Sequence, residues 1–373
     1  MSKAAELANL IGNINAGGGG VNRNVIINGA MNVAQRNTSV TGLGADANTY
    51  QTVDRWRFLT GSTAGRYTLS QDTDSPEGFG SSTKIAVTTA DTSIAAGEYF
   101  FFRQLLEGQN VQQFKKGTSS AVPITVSFYV KGNANATYLV ELEDADNSRL
   151  NSQTFNVTTS WTRVTKTFVA DTTGVLDNDN ANSFNLVFWL HAGSTYTGGT
   201  HTSNTWAGNV AANRVPSGNT SIFDSTSRTF FITGIQMEAK RVTDFEHEPV
   251  EVTQSKCERY YQVLLKHGDA SDGGNTCLGA AGVMYSSSYL AVPFGFKTTM
   301  RAAPTLISAN STGCFKFYRD NSNDVFDDFA TGTARSPYSL ELYNNSDISG
   351  TAGQAGFIYA VNSNATLAVD AEL

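Results

Sequence analysis

In residues 122–131, VPITVSFYVK, the side chains Ile124, Val126, Phe128 and Val130 alternate with Thr125, Ser127, Tyr129 and Lys131. A period of two sets one group on each face of a β-strand, with one face buried and one wet. ATYLVELED from 136, WTRVTKTFV from 161 and RTFFITGIQMEA from 228 read as further strands. FNLVFWL from 184 is apolar on both faces, which predicts a central strand covered on both sides. The pieces between them (DADNSRL, TTGVLDNDN, AGSTYTGGT) are turn chemistry. Short strands at this spacing with few helices predict a mainly β fold, a β-sandwich of the jelly-roll kind. One small helix fits GQNVQQFKK, residues 108–116, between two strands.

Only 16% of the residues are charged, well below the usual share of about a quarter. Asn, Ser, Thr and Gly take their place, which suits many loops joining short strands. The net charge of −7, with no basic stripe, argues against a nucleic-acid partner. No apolar run approaches the roughly 20 residues that span a bilayer, so no membrane insertion is expected. The N-terminus lacks the charged-then-apolar secretory pattern, which predicts synthesis and folding in a cytoplasm. Sequons such as Asn135-Ala136-Thr137 then read as loop composition. In a reducing compartment, Cys257, Cys277 and Cys314 read as small buried side chains rather than bridges. His191, His201, His247 and His267 have no metal-ligand spacing, so neither a metal nor a cofactor is expected.

Four segments follow. In residues 1–21, SKAAELANLIGNI places Leu7, Leu10, Ile11 and Ile14 on one helical face, with Ser2 as N-cap and Gly17–Gly20 as a hinge. A helix this short needs a partner surface. It is expected to dock the chain or to bundle copies of it. Residues 22–250 are the sandwich, and Pro249 with the acidic DFEHEPVE marks its end. Residues 251–266 are expected to be a linker helix, TQSKCERYYQVLLK being helical at least at its start. Residues 267–373 form a smaller C-terminal β-domain, with a hairpin at TCLGAAGVMYSSSYLAVPF and strands at PTLISA, CFKFYR and ATLAVDAEL. No period of 20–50 residues repeats, which excludes a solenoid or propeller.

NVIINGAMNVAQRN, residues 24–37, follows a glycine run yet has neither GxGxxG nor GxxxxGK[ST] spacing, so it is not a phosphate loop. It continues, in order, into DRWRF (54–58), VSFYVKG (126–132), VFWLHAG (187–193), ITGIQMEAKRVTDFEHEPVE (232–251) and CERYYQ (257–262). This ordered set resembles the N-terminal jelly-roll module of bacteriophage tail-fibre and related virion proteins, a module similar in fold to carbohydrate-binding modules. MSKAAELANLIG resembles the start of marine-phage and cyanophage fibre proteins. PFGFKTTMRAAPTL and AVDAEL look like the small β-domain that ends many of them. By this resemblance residues 24–37 are the first strand of the sandwich, with Asn28-Gly29 as a bulge or tight bend. Related sugar-binding modules carry acidic calcium ligands just after that step, where this chain has Ala30 and Met31. Asp177 and Asp179, in LDNDN, read as an Asx-rich turn, with part of another cation site as the alternative.

Trp56, between Arg55 and Arg57, reads as a core aromatic whose flanking charges snorkel outward, with a sugar-stacking platform as the alternative. Trp161 and Trp189 read as core residues on strands. The long polar segment Ala192–Thr220 carries Tyr196, His201 and Trp206, the candidate carbohydrate-binding residues. Trp206 could stack on a sugar, anchor a subunit interface, or fold back on its own sheet. Glu246, Glu248 and Glu251 around His247 read as a solvated charge run rather than a hydrolytic carboxylate pair. No Ser-His-Asp or Cys-His arrangement stands out. The resemblance implies a non-enzymatic structural virion protein, a tail fibre or fibre-like appendage. It is expected to be homotrimeric, to attach to other virion proteins through its N-terminus and to adhere to host surface polysaccharide. A capsid or collar decoration (a head fibre) is the alternative, and a polysaccharide depolymerase a further one.

Overall fold

A computed structural model describes Lys3 and residues 22–271, 273–309 and 311–373. The helix anticipated over residues 2–14, with Leu7, Leu10, Ile11 and Ile14, lies outside the described residues. The chain divides into two units, Met1–Thr253 together with Leu373, and Gln254–Glu372.

The first unit is a jelly-roll sandwich of two antiparallel sheets. One runs in the order β1 (Ser39–Ala45), β4 (Thr63–Asp72), β5 (Ser82–Thr89), β13 (Thr229–Ala239), β7 (Ile124–Gly132) and β10 (Thr162–Phe168). The other runs β12 (Ala207–Gly208), β9 (Arg149–Val157), β8 (Ala136–Asp144), β11 (Asn182–Ala192), β6 (Tyr99–Glu107), β3 (Arg57–Gly61) and β2 (Asn48–Thr49). The segment apolar on both faces is β11, in the middle of its sheet and buried almost throughout. The anticipated helix at 108–116 is a pair of short 3-10 turns, Gly108–Asn110 and Gln112–Phe114. Aromatic rings join the two sheets. Phe128 of β7 meets Phe188 of β11 edge-on across the sandwich at 5.1 Å, and Phe188 stacks on Phe102 of the neighbouring β6 at 4.9 Å.

Residues 24–37 are not the first strand. They form an extended segment and a turn over residues 27–30, outside any ladder. Side-chain amides serve the backbone groups that a ladder would use. Asn24 Nδ2 donates to the Ile235 carbonyl, and Asn24 Oδ1 accepts from Ile26 N and Met237 N. Gln104 of β6 accepts from Ile27 N and donates to the Ile27 carbonyl, each at 2.8 Å. Asn28 adopts φ 58° and Met31 φ 59°, and Ile235 N donates to the Gly29 carbonyl at 2.9 Å. The segment is a plug sealed against β13 and β6. Trp56 is fully buried, as expected, and its Nε1 donates to the Asn28 carbonyl. Arg55 does not snorkel: it is buried with φ 73°, and its guanidinium donates to the Leu105 carbonyl at 2.7 Å.

The second unit begins within the helix Val250–Glu258. That helix does not reach residue 266. Tyr261–Lys266 is β14, paired with the closing strand β23 (Thr366–Asp370), which pairs on its other edge with β17 (Thr305–Ser308). The β-prone run YYQVLL gains more from that ladder than from another helical turn. A seven-stranded sheet has the order β19 (Ser322–Phe326), β18 (Phe315–Arg319), β22 (Ala355–Ala360), β15 (Thr276–Ser286), β16 (Tyr289–Gly295), β21 (Ser339–Asn344) and β20 (Ala330–Arg335). Its inner face, with Phe315, Phe317, Leu342 and Ile358, packs with Leu367 and Val369 in one core. Cys257 and Cys314 are buried, but Cys277 is exposed, because it lies on the outward side of β15 opposite Tyr359.

Candidate functional site

The segment Ala192–Thr220 lies as a flap over part of the outer face of the seven-stranded sandwich sheet. Trp189, Val187 and Leu139 point out of that sheet and, with Val215 of the flap, form an apolar cluster separate from the main core. Tyr196 sits on Trp189, with ring centroids 5.3 Å apart, and meets Tyr99 edge-on at 5.7 Å. The Arg214 guanidinium lies 5.1 Å over the Trp189 ring and forms a two-point pair with Glu141 beneath it. Glu141 also accepts from Trp189 Nε1 at 3.3 Å. Burial pushes the Glu141 carboxyl above the usual range, with Arg214 pulling the other way. Burial alone would lower Arg214, but Glu141 and Glu143 hold it above its ordinary value.

The other two flap residues singled out in the sequence also face inward. His201 Nε2 lies 2.9 Å from Ser152 Oγ, and burial lowers its pKa. Trp206 Nε1 donates to the Val169 carbonyl at 2.8 Å, its ring packs near Phe184, and Lys116 Nζ lies 5.0 Å over it. Trp206 therefore folds back on its own unit. Lys116 is itself buried between Asp144 and Asp171, and Arg149 donates twice to Asp171.

Burial raises the Asp171 carboxyl, but hydrogen bonds from Arg149, Lys116 and Thr173 N outweigh it and hold the pKa below the usual range. A depressed carboxyl contributes stability that is complete above its unfolded pKa and is lost as pH falls through the depressed value. The urea midpoint of wild type is therefore expected to fall on acidification below the ordinary carboxylate range. Asp171→Asn should show a smaller acid-induced fall, and equal falls would contradict this account of the network.

Next to the flap, β6 leaves a strip open. Tyr99, Phe101 and Arg103 project from the same face, and all three are half-buried. Their partners in register on β3 are Gly61, Leu59 and Arg57. The Tyr99 ring lies across Gly61, where a Cβ would come within 2.2 Å of it, so glycine makes the seat for that ring. Tyr99 and Phe101 stack at 5.3 Å and 25°, and Phe101 touches Trp189 at 4.7 Å. The Arg103 guanidinium lies 5.7 Å from the Phe101 centroid and 3.6 Å from Glu143. Glu143 also accepts from Asn185 Nδ2 and Asn209 Nδ2. Arg103 Nε is buried and hydrogen-bonds to no described residue. Arg57 donates to Asn48 and to the Leu373 carbonyl, which closes that end of the strip.

Neither Phe101 nor Arg103 was singled out in the sequence. The signal was YFFFRQLLE itself, which puts aromatics on both faces of one strand, so that one pair must look outward.

The acidic run after β13 is less solvated than its sequence suggests. Glu246 accepts from Asn22 N, Arg23 N and Asn24 N. His247 packs with Phe79 and Phe245. Trp161 precedes β10 and lies half-buried outside the core, donating to Asp74. Asp179 Oδ1 accepts from Ala181 N in an Asx turn. Among the described residues, no group of three or more His, Cys, Asp or Glu is placed to hold a metal ion.

No family model and no curated protein matches the chain. Among solved structures it is similar to the family 11 carbohydrate-binding module of the cellulosomal cellulase Lic26A-Cel5E of Clostridium thermocellum, at 13% identity over 54% of this chain and 95% of that one, with a TM-score of 0.27. It is similar to the N-terminal cellulose-binding domain of β-1,4-glucanase C from Cellulomonas fimi, at 10% identity over 57% of this chain and 100% of that one, TM-score 0.28. It is also similar to the enzymatically active domain of tailspike protein 4 of bacteriophage CBA120, at 12% identity over 58% of this chain, TM-score 0.29. The likeness spans only 21% of that tailspike chain.

Proposed function

We propose that this chain is a non-enzymatic structural protein of a bacteriophage particle, a tail fibre or fibre-like appendage, that adheres to polysaccharide on the host surface. The observation that carries the adhesive part is the open strip Tyr99–Phe101–Arg103 with Glu143 beside it. A sugar ring has an apolar C–H face that stacks on an aromatic, and hydroxyls at its edge that want fixed polar partners. Tyr99 and Phe101 offer the rings. The Arg103 fork and the Glu143 carboxylate offer donors and acceptors side by side, already desolvated in part and held in place by Asn185 and Asn209. Tyr196 forms the wall between strip and flap.

The carboxylates on this face support binding rather than hydrolysis. Glu141 is sealed under Arg214, and Glu143 is shared among Arg103, Arg214, Asn185 and Asn209. Placement on a virion and assembly as a homotrimer rest on the six ordered motifs. A single strip of this size binds weakly, and several copies on one particle multiply it through effective concentration.

The experiment is binding of the fluorescently labelled full-length chain to a panel of bacterial strains, with immunogold labelling of phage particles by an antibody to the chain. Binding to a host strain is expected to survive protease treatment of the cells and to disappear after periodate cleavage of their surface glycans. Gold is expected at the particle surface. Binding destroyed by protease and untouched by periodate would overturn the polysaccharide reading, and unlabelled particles would overturn the virion one.

A further inference from the structure

The outer face of the seven-stranded sheet in the second unit is unusually aromatic. On β18 and β22 it presents Tyr318, Phe357 and Tyr359, with Phe357 57% exposed. Toward the other edge it presents Tyr285, Tyr289 and Tyr343. Tyr289 and Tyr343 stack at 5.2 Å and 13°, while Tyr285 meets Tyr289 edge-on and is 79% exposed. The positions between the two groups are small. Val283 of β15 lies in register between Ala355 and Ala291, and Ala281 lies opposite Phe357, so that an aliphatic floor separates two aromatic banks. On the strands from β18 to β21 the face carries two charged side chains, and each is engaged. Lys316 lies 5.1 Å over the Tyr359 ring, and Glu341 accepts from the Tyr289 hydroxyl.

We infer that this trough is a second glycan-binding site, specific for an uncharged polysaccharide chain. This rests on the chain being a polysaccharide binder, but on none of the sandwich's residues. Area argues against a second copy of the chain as occupant. Five strands spaced about 4.8 Å apart, with some five residues each, give a flat patch of roughly 400 Å². A stable protein pair needs about 800 Å² on each side, whereas patches of a few hundred Å² on monomers are often functional. Charge argues for a neutral ligand, because one cation and one anion cancel and both are already paired. Five of the six aromatics are tyrosines, whose hydroxyls supply donors and acceptors at the rims of the banks while the rings stack.

The test is affinity electrophoresis of the full-length chain in native gels containing laminarin, mixed-linkage β-glucan, xylan, galactan or the acidic polymer alginate. At least one neutral polymer is expected to retard the protein and alginate to do so less. Phe357→Ala and Tyr343→Ala are each expected to weaken that retardation about tenfold. Tyr285→Ala, at the most exposed position, guards against loss through misfolding and should also weaken it. Light scattering should give one mass for wild type and variants. A lower mass for Phe357→Ala would make the face an interface between copies and overturn the inference. So would retardation by alginate alone, or by no neutral polymer. Retardation lost in Phe101→Ala but unchanged in Phe357→Ala and Tyr343→Ala would also overturn it, leaving the sandwich strip intact. The reverse pattern would support the trough and remove the strip.

Discussion

Arg214→Ala is expected to destabilise the first unit by about 3–5 kcal/mol, the usual cost of stripping one partner from a buried ion pair. Glu141 is fully buried in the middle of the sheet, and without Arg214 its carboxylate keeps, among the described residues, only the Trp189 indole N–H. Arg214 also tethers the flap through Glu143 and covers Trp189. Loss of this one side chain should therefore lower the urea midpoint and expose the Trp189 cluster to solvent quenchers. The penalty has a pH signature. A buried carboxyl raised above its unfolded value is protonated in the folded state first, so its destabilising effect grows as pH rises through that window. Arg214→Ala should be least damaging near the ordinary carboxylate range and most damaging at neutral pH. The double variant Arg214→Met, Glu141→Leu should recover most of the loss, since an apolar pair avoids both desolvation costs. A loss below about 1 kcal/mol for Arg214→Ala, as for an exposed pair, would mean that the flap does not seal this face.

Gly29→Ala is expected to cost about 3 kcal/mol by forcing atoms into a packed interior. A Cβ at Gly29 would sit 2.0 Å from the Ile235 carbonyl oxygen, and backbone cannot step aside as a side chain can. The plug would have to lift from β13. That breaks the Ile235 N to Gly29 bond and strains those of Asn24 and Gln104 to the backbone. Gly42 is the control. It has φ 75°, and an added methyl would meet nothing within 4 Å, so Gly42→Ala should cost only about 1 kcal/mol, from conformation alone. Urea denaturation of both variants separates a steric cost from a conformational one. Equal losses would contradict the packing described for the plug.

The strands were legible because alternation is local. Ile124 to Val130 and the doubly apolar FNLVFWL each state their own burial. The plug was not legible, because its backbone is served by the amide of Gln104, 77 residues from Ile27, and a strand-like composition conceals that arrangement. The end of the helix at Glu258 was missed for a related reason. Tyr261–Lys266 becomes a strand only because residues 366–370 arrive to pair with it.

The candidate site was legible in kind but not in place. The loop aromatics Tyr196 and Trp206 drew attention by their setting, yet each finds partners on its own sheet. The open rings lie on β6, and composition alone does not say which face of YFFFRQLLE a flap will leave bare.

Binding of wild type, Phe101→Ala and Arg103→Ala to an array of purified bacterial surface polysaccharides tests the central claim most directly. The account predicts that wild type binds at least one polysaccharide, releases no reducing sugar from it, and loses about tenfold in affinity with either substitution. Undiminished binding by both variants, or steady release of reducing ends by wild type, would contradict it.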